Sequence, residues 1–425
     1  MEKIYDILSK LTEKILGRKF AKELLLLFIA INIVNLSNYI YTLIIARMLG
    51  PAEFSLFASL ISIFMILSSL ISAIQTVTTK YISNFFAEKD YKSISNFFLG
   101  SFKKISFICL IFFIFFIFAS KQIALFLNTV SPIPIIILGS MVIISIFVSI
   151  SRGTLQGIQN FSHLSLNLII DAILRLVIGI LLVYLGFKNS GAIGSSSISG
   201  FIAILISFIP LNFIFKNRNN KQDIKQDINF LEVYKYTIPV LIASVCIFVL
   251  ISFDLILVKH FFNELQAGYY SAAATMGKIV IFIPGAIGLV MFPKVAEYHK
   301  KNLDSIDILK KSLFITLILC GGVTICYFLF PNFLIRVMFG KAYENSAYLI
   351  KFFGIAMTFF ALNNILILYN LSIEKFKFIF PTIFFTILQI IFIYFFHSSL
   401  IQVILVLLFN SLVLFAVNLI STLVS

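Results

Sequence analysis

Long apolar runs broken by short polar clusters repeat along the whole chain. Dividing at those clusters gives six segments in the first half, near residues 24–46, 54–75, 99–119, 132–150, 163–186 and 192–215. Six more follow near 236–258, 268–291, 312–334, 346–371, 376–396 and 399–423. A helix needs roughly 20 apolar residues to cross a bilayer, so each segment is read as one span. The polar stretch KNRNNKQDIKQD, starting at Lys216, lies between the sixth and seventh segments and reads as a solvated linker. Residues 1–22 hold six Lys and Arg beside an apolar stripe of Ile4, Leu8, Leu11 and Ile15. That is the pattern of a helix lying on the cytoplasmic leaflet. The expected organisation is 1–22 interfacial helix, 23–215 first lobe, 216–235 cytoplasmic linker and 236–425 second lobe.

Composition agrees. Of 425 residues, 60% are hydrophobic and 12% charged, with a mean hydropathy of +1.06. Soluble domains carry about a quarter charged residues, so a soluble enzyme is excluded, as is a disordered chain. The expectation is an all-α polytopic membrane protein with about twelve spans. The net charge of +15 is assigned to loop asymmetry rather than to a nucleic-acid partner. With the N-terminus inside, 24 Lys and Arg fall in cytoplasmic stretches, 6 in outer ones and 3 within spans. That bias puts both termini in the cytoplasm. The four cysteines, at 109, 246, 320 and 326, sit in apolar runs without metal-ligand spacing, so neither a disulfide framework nor a metal site is expected. The fifty Phe look compositional, and with no Trp the interfacial belts must rest on Tyr39, Tyr41, Tyr269, Tyr270 and Tyr394.

An offset of 213 residues sets the run around Phe54–Phe57 over the run around Ala267–Tyr270, and the basic exit after Lys80 over Pro293–Lys294. Six spans per half start both halves on the same side, so the repeats are parallel.

The run ARMLGPAEFSLF, from Ala46, resembles the first outer loop of polysaccharide exporters. QAGYYSAAATMGKIVIFIPGAIGLVMFPKVAEY, from Gln266, resembles the matching segment of their second half, and SRGTLQGIQNF, from Ser151, the link between spans four and five. The similarity runs from about Ala21 to about Pro381 and departs at Ser55, where that family usually has Gly. It points to the Wzx-like oligosaccharide flippases, a branch of the MATE-like multidrug/oligosaccharidyl-lipid/polysaccharide (MOP) exporters. The resemblance implies two parallel six-helix lobes and an undecaprenyl-diphosphate-linked oligosaccharide carried to the outer leaflet for polysaccharide or O-antigen (lipopolysaccharide) synthesis. It further implies the bacterial cytoplasmic membrane, a polysaccharide polymerase and chain-length proteins as partners, and no cofactor. No phosphate-binding P-loop is present, which agrees with a transporter that is neither an enzyme nor an ATP-driven pump.

Three basic residues fall inside spans: Arg175, Lys278 and Lys351. A charge at mid-membrane costs a few kcal/mol or more and normally faces a cavity or a partner. Arg175 and Lys278 lie near the midplane, one in each half, where they would form a two-sided clamp on a pyrophosphate. Lys278 has no acidic residue three or four positions away and is the first candidate for that contact. Asp171 stands four residues before Arg175, so the two would also serve as a structural pair. Lys351 lies close enough to a span end to snorkel. Asp254 reads either as a rim residue or as a proton or cation site. Asn32, Asn35 and Asn38 share one side of span one, as helix–helix contacts or as a sugar-lining stripe. Gln75, Thr76, Thr78 and Thr79 end span two in a polar cluster, Gly153 and Gly157 mark a cytoplasmic turn, and Pro284, Gly285 and Gly288 read as a kink in span eight.

The rival functions are a cation-coupled drug or metabolite antiporter of the same fold, and a membrane-embedded glycan polymerase or glycosyltransferase. The antiporter would favour an acidic cleft, whereas three basic residues here face two acidic ones. The enzyme would need extramembrane carboxylates or a long outer loop.

Overall fold

The computed structural model describes residues 18–216, 230–301 and 303–424. Among these, twelve long helices account for the twelve expected spans. The first two, α1 (18–49) and α2 (51–87), form one continuous path broken at Gly50, whose φ of 70° a residue with a side chain rarely adopts. Pro51 follows at the first helical position, where its missing N–H costs nothing. Next come α3 (Tyr91–Phe126), α4 (Ile133–Gly157), α5 (Phe161–Leu182) and α6 (Lys188–Ser207). The second half holds α7 (Phe230–Phe261), α8 (Glu264–Lys300), α9 (Ile306–Leu329), α10 (Ala347–Ser372), α11 (Ile379–Phe395) and α12 (Leu400–Val424).

Polar residues start several helices. Asp90, Asn160 and Asn263 each accept a hydrogen bond from the backbone amide three residues on, at 2.9, 3.3 and 2.9 Å. Between α5 and α6 the chain turns through Val183–Phe187 on Gly186, at φ 90°.

The repeat read from the sequence returns in the helix boundaries. Displaced by 213, the starts of α2, α4 and α6 fall at 264, 346 and 401, against observed starts at 264, 347 and 400. The interfacial helix expected over 1–22 falls mostly, and the linker over 216–235 largely, outside the described residues.

Two compact units emerge, and their division differs from the expected one. Of the described residues, the first contains 18–48 and 70–216; the second contains 49–69, 230–301 and 303–424. The first part of α2 thus belongs to the second unit, because its side chains pack there. Phe54 lies 6.0 Å, centroid to centroid, from both Phe339 and Tyr343, and Ser59 donates to the Leu255 carbonyl at 3.1 Å. A Cβ on Gly268 would overlap the Pro51 carbonyl, so the LGPAEF and QAGYY runs meet backbone to backbone. Ser55 is fully buried and bonds the Ala52 carbonyl of its own turn at 2.6 Å.

Within the first unit, α6 packs on α4 and α5, and α3 packs on α4. Ile82, Phe85, Ile94, Phe98, Ile150 and Leu155 form an apolar core where α2, α3 and α4 converge. Within the second unit α10 is central, packed against α8, α9 and α12. Outward faces are apolar: Phe107, Phe115 and Phe118 of α3 are all more than 60% exposed, which suits contact with lipid. α8 is assigned as one helix from Glu264 to Lys300, and Gly288 within it closely approaches Leu368.

Two tyrosines assigned to interfacial belts are core residues instead. Tyr41 is 5% exposed and donates to the Ala192 carbonyl at 2.5 Å, with its ring where a Cβ on Gly179 would stand. Tyr270 is fully buried. Gly153 and Gly157 are close contacts of α4 with α2: a Cβ on them would sit 2.8 Å from the Gln75 carbonyl and 2.6 Å from Ile82.

Candidate functional site

The charged residues of the first unit converge on Asp171. It lies mid-way along α5, with its side chain 7% exposed. Arg152 of α4 reaches its Oδ2 at 2.8 Å and Arg175, one turn along α5, reaches the same oxygen at 3.2 Å. Ser199 of α6 donates to Oδ1 at 2.7 Å. Arg152 Nε donates to Asn167 Oδ1 at 2.9 Å, and Asn167 in turn donates to the Ala203 carbonyl at 2.6 Å. Arg175 donates to Asn38 Oδ1 of α1 at 3.3 Å. Four helices are thereby tied by one polar network, which the low dielectric between them strengthens as long as it is satisfied.

Its charges do not balance. Two guanidinium groups meet one carboxylate, leaving a net positive charge within the helical bundle. Arg175 is the most accessible of the three charged side chains, at 25% against 15% for Arg152 and 7% for Asp171. Its Nε is buried without a hydrogen-bond partner among the described residues. A buried donor left unpaired is costly, and an oxyanion is the group that satisfies a guanidinium most fully.

Sequence reading found the Asp171–Arg175 pair but not Arg152. That residue counted as cytoplasmic because it follows Ser151 in a turn-like run, whereas α4 continues to Gly157. Of the three asparagines on α1, Asn38 joins the network, while Asn32 and Asn35 are exposed and Asn32 donates to the Phe28 carbonyl of its own helix. Gln75 and Thr79 of α2 join Gln156 of α4, each at 3.3 Å.

In the second unit Asp254 of α7 is 1% exposed. Tyr270 of α8 donates to its Oδ2 at 2.8 Å, and Oδ1 is buried without a hydrogen-bond partner among the described residues. Lys278, two turns further along α8, feels the charge of Asp254 but makes no ion pair with it among the described residues. Asp254 is therefore an interior residue rather than a rim one. The absence of an acid near Lys278 in sequence held only along its own helix; the neighbour comes from α7. Lys351 stands apart, half-buried with its ammonium 5.9 Å from the Phe328 ring centroid, which is a cation–π placement.

Two further features escaped sequence reading. Lys259 is 1% exposed and lies 3.4 Å from Glu264. Amides tie α12 to its neighbours: Asn418 bonds Asn363 of α10 at 2.7 Å, and Asn410 bonds Gln389 of α11 at 3.0 Å. Isolated Asn and Gln within apolar runs were the available signal, since in lipid such groups seek partners on other helices. Among the described residues no group of His, Cys, Asp and Glu has a metal-binding arrangement.

Comparison with known proteins fits this architecture. The fold is similar to that of a multidrug resistance MATE family transporter of the MOP superfamily in its inward-facing conformation. That match has a TM-score of 0.74 and 13% identity, covering 92% of this chain and 94% of the other. It is also similar to the lipid II flippase MurJ, with a TM-score of 0.70 and 16% identity over 93% of this chain and 87% of that one. A MOP superfamily transporter from Pyrococcus furiosus, described as having a binding pocket of reversed polarity, matches with a TM-score of 0.56 and 16% identity, covering 94% and 95%. These likenesses establish the fold. In sequence, the chain is 24% identical over 235 residues to an uncharacterized membrane protein of Methanocaldococcus jannaschii. That alignment takes in 52% of this chain and 54% of the relative, so the chain spans about half the length of the curated relative it matches. A family model described as "Polysaccharide biosynthesis protein" matches residues 44–348, well over half of the chain. This multi-pass membrane protein belongs to the polysaccharide biosynthesis protein family.

Proposed function

We propose that the protein is a flippase moving an undecaprenyl-diphosphate-linked oligosaccharide from the inner to the outer leaflet of a bacterial cytoplasmic membrane by alternating access, with both termini cytoplasmic. In a member of a polysaccharide family, the observation that carries this reading is the Arg152–Asp171–Arg175 network with its surplus positive charge and the unpaired Nε of Arg175. A diphosphate head cannot cross hydrocarbon unaided, whereas its polyprenyl tail can remain there. A guanidinium offers the head paired, charge-assisted hydrogen bonds. Arg152 holds Asp171, and Asp171 aims Arg175. Lys278 supplies positive charge in the second unit, and Asp254, with one oxygen unpaired, is the group that would take a coupling proton or cation. Lys351, Asn32 and Asn35 contribute at most to the sugar path. A polysaccharide polymerase and chain-length proteins would receive the product.

The test is made in cells. Arg175→Ala should cause lipid-linked glycan to accumulate on the inner leaflet while the protein inserts normally, and Arg175→Lys should restore part of the export. Full export by Arg175→Ala would overturn the role of the cluster.

A further inference from the structure

The end of the second unit that carries the α7–α8 turn holds a cavity of about 520 Å³, lined among others by Phe261, Gln266, Tyr269, Asn345, Tyr348 and His397. That volume falls within the ~300–1,000 Å³ of small-ligand sites. It is remote in sequence from every residue of the charged cluster, and on the expected orientation it opens at the outer face. No Asp, Glu, Lys or Arg lines it.

Its walls are built from braced rings. The imidazole of His397 lies flat on Phe261, with 3.9 Å between centroids and 15° between planes, and Tyr394 braces Phe261 edge-on at 5.8 Å. Asn345 donates to the Tyr269 hydroxyl at 3.4 Å, which joins the α10 side of the cavity to the α8 side. Tyr348 leaves 46% of its surface exposed. His397 Nδ1 is buried and has no hydrogen-bond partner among the described residues.

A pyranose presents C–H groups on its ring faces and hydroxyls, each donor and acceptor, around its rim. Tyrosine and phenylalanine rings receive the first, and amide, hydroxyl and imidazole groups receive the second. A diphosphate would find no cation here. We infer that this cavity is a saccharide-holding site, receiving an uncharged sugar unit of the carried glycan at the outer end of the second unit. The inference rests on the reading of the chain as a carrier of lipid-linked glycan, and places on the sugar a contact that the charged cluster does not make.

The chain contains no tryptophan, so Tyr348→Trp installs a single fluorescent reporter in the wall. The full-length variant, in lipid nanodiscs, is titrated with glycan released by mild acid from the host's lipid-linked pool. Parallel titrations use inorganic pyrophosphate and the polyprenol geranylgeraniol. The expected result is a saturable emission change with the glycan, at about millimolar concentration, and none with the other two. Asn345→Ala and Tyr269→Ala in the reporter background should each weaken it about tenfold. Gln266→Trp serves as a second reporter should Tyr348→Trp fail to fold. A flat glycan titration, a response to geranylgeraniol, or unchanged binding in both alanine variants would overturn the site. The two readings separate when lipid-linked glycan movement is measured on the same wild-type preparation. Movement with a silent reporter removes the saccharide site alone, whereas glycan binding without movement removes the carrier function and keeps the site.

Discussion

Replacing Asp171 with alanine removes the one carboxylate shared by Arg152, Arg175 and Ser199. Breaking a buried ion pair from one side costs about 3–5 kcal/mol, because the remaining charge stays without a counterion. Here two guanidinium groups are left. Their side chains are 15% and 25% exposed, so some solvent reaches them and the loss should sit near ~3 kcal/mol. Arg175→Ala is different: Asp171 keeps Arg152 at 2.8 Å and Ser199 at 2.7 Å, so no charge is orphaned. Its cost should stay near ~1 kcal/mol, as for a partly exposed pair. Ser199→Ala falls between, at about 1.5–3 kcal/mol for a hydrogen bond to a charged group. Neutralising Asp171 and Arg175 together does not cancel, because Arg152 then loses its partner. Thermal unfolding read by a thiol-reactive dye suits this chain. Cys109, Cys246 and Cys320 are buried and Cys326, which is exposed, can be replaced by serine. Cys109 reports on the first unit, where Asp171→Ala should release it several degrees early, ahead of Cys246 and Cys320. Equal shifts for Asp171→Ala and Arg175→Ala, or no shift for Asp171→Ala, would refute the assignment of Asp171 as the anchor.

Gly268→Ala should lower stability by about 3 kcal/mol, since its Cβ meets the Pro51 main chain rather than a side chain that can turn aside; unfolding read at Cys246 checks it. Gly179→Ala should cost about 1–3 kcal/mol by pressing on the Tyr41 ring, seen in the release of Cys109. Asp90 caps α3, and the Ser93 hydroxyl and amide hold its carboxyl below the ordinary range. A depressed value stabilises the fold above the ordinary carboxylate range and ceases to do so as pH falls through it. Asp90→Ala should therefore cost about 1 kcal/mol at neutral pH, and the difference from wild type should shrink as pH falls through the lowered value of the Asp90 carboxyl. In a cysteine-free background, Tyr348→Cys should react with an impermeant thiol reagent from outside and Lys89→Cys only from inside; the reverse pattern would invert the topology.

The spans were legible because hydrophobic runs and helix breaks are local signals. Gly50–Pro51 and Asn263 mark two helix starts 213 residues apart, and both lie in the runs that carry the family resemblance. What sequence concealed was the third dimension. Arg152 stands at the start of a run that reads as a loop, and only the persistence of α4 to Gly157 brings it to Asp171. Lys278 has no acid three or four positions away because its charged neighbour, Asp254, lies on another helix. Tyr41 and Tyr270 have the composition of a belt residue, but their hydroxyls are spent on Ala192 and Asp254 inside the bundles. The division into units also needed contacts, since Leu49–Ser69 is continuous in helix with residues of the first unit while packing in the second.

The carrier function is tested most directly with purified protein in liposomes containing a fluorescent undecaprenyl-diphosphate-linked oligosaccharide in both leaflets, followed by an impermeant quencher of the outer leaflet. Quenching should proceed well past the half that the outer leaflet holds, and should stop near that half for Arg175→Ala and for Lys278→Ala inserted at the same density. Wild-type liposomes that quench no further than protein-free ones, or alanine variants as fast as wild type, would contradict the carrier function or the role of these two charges respectively.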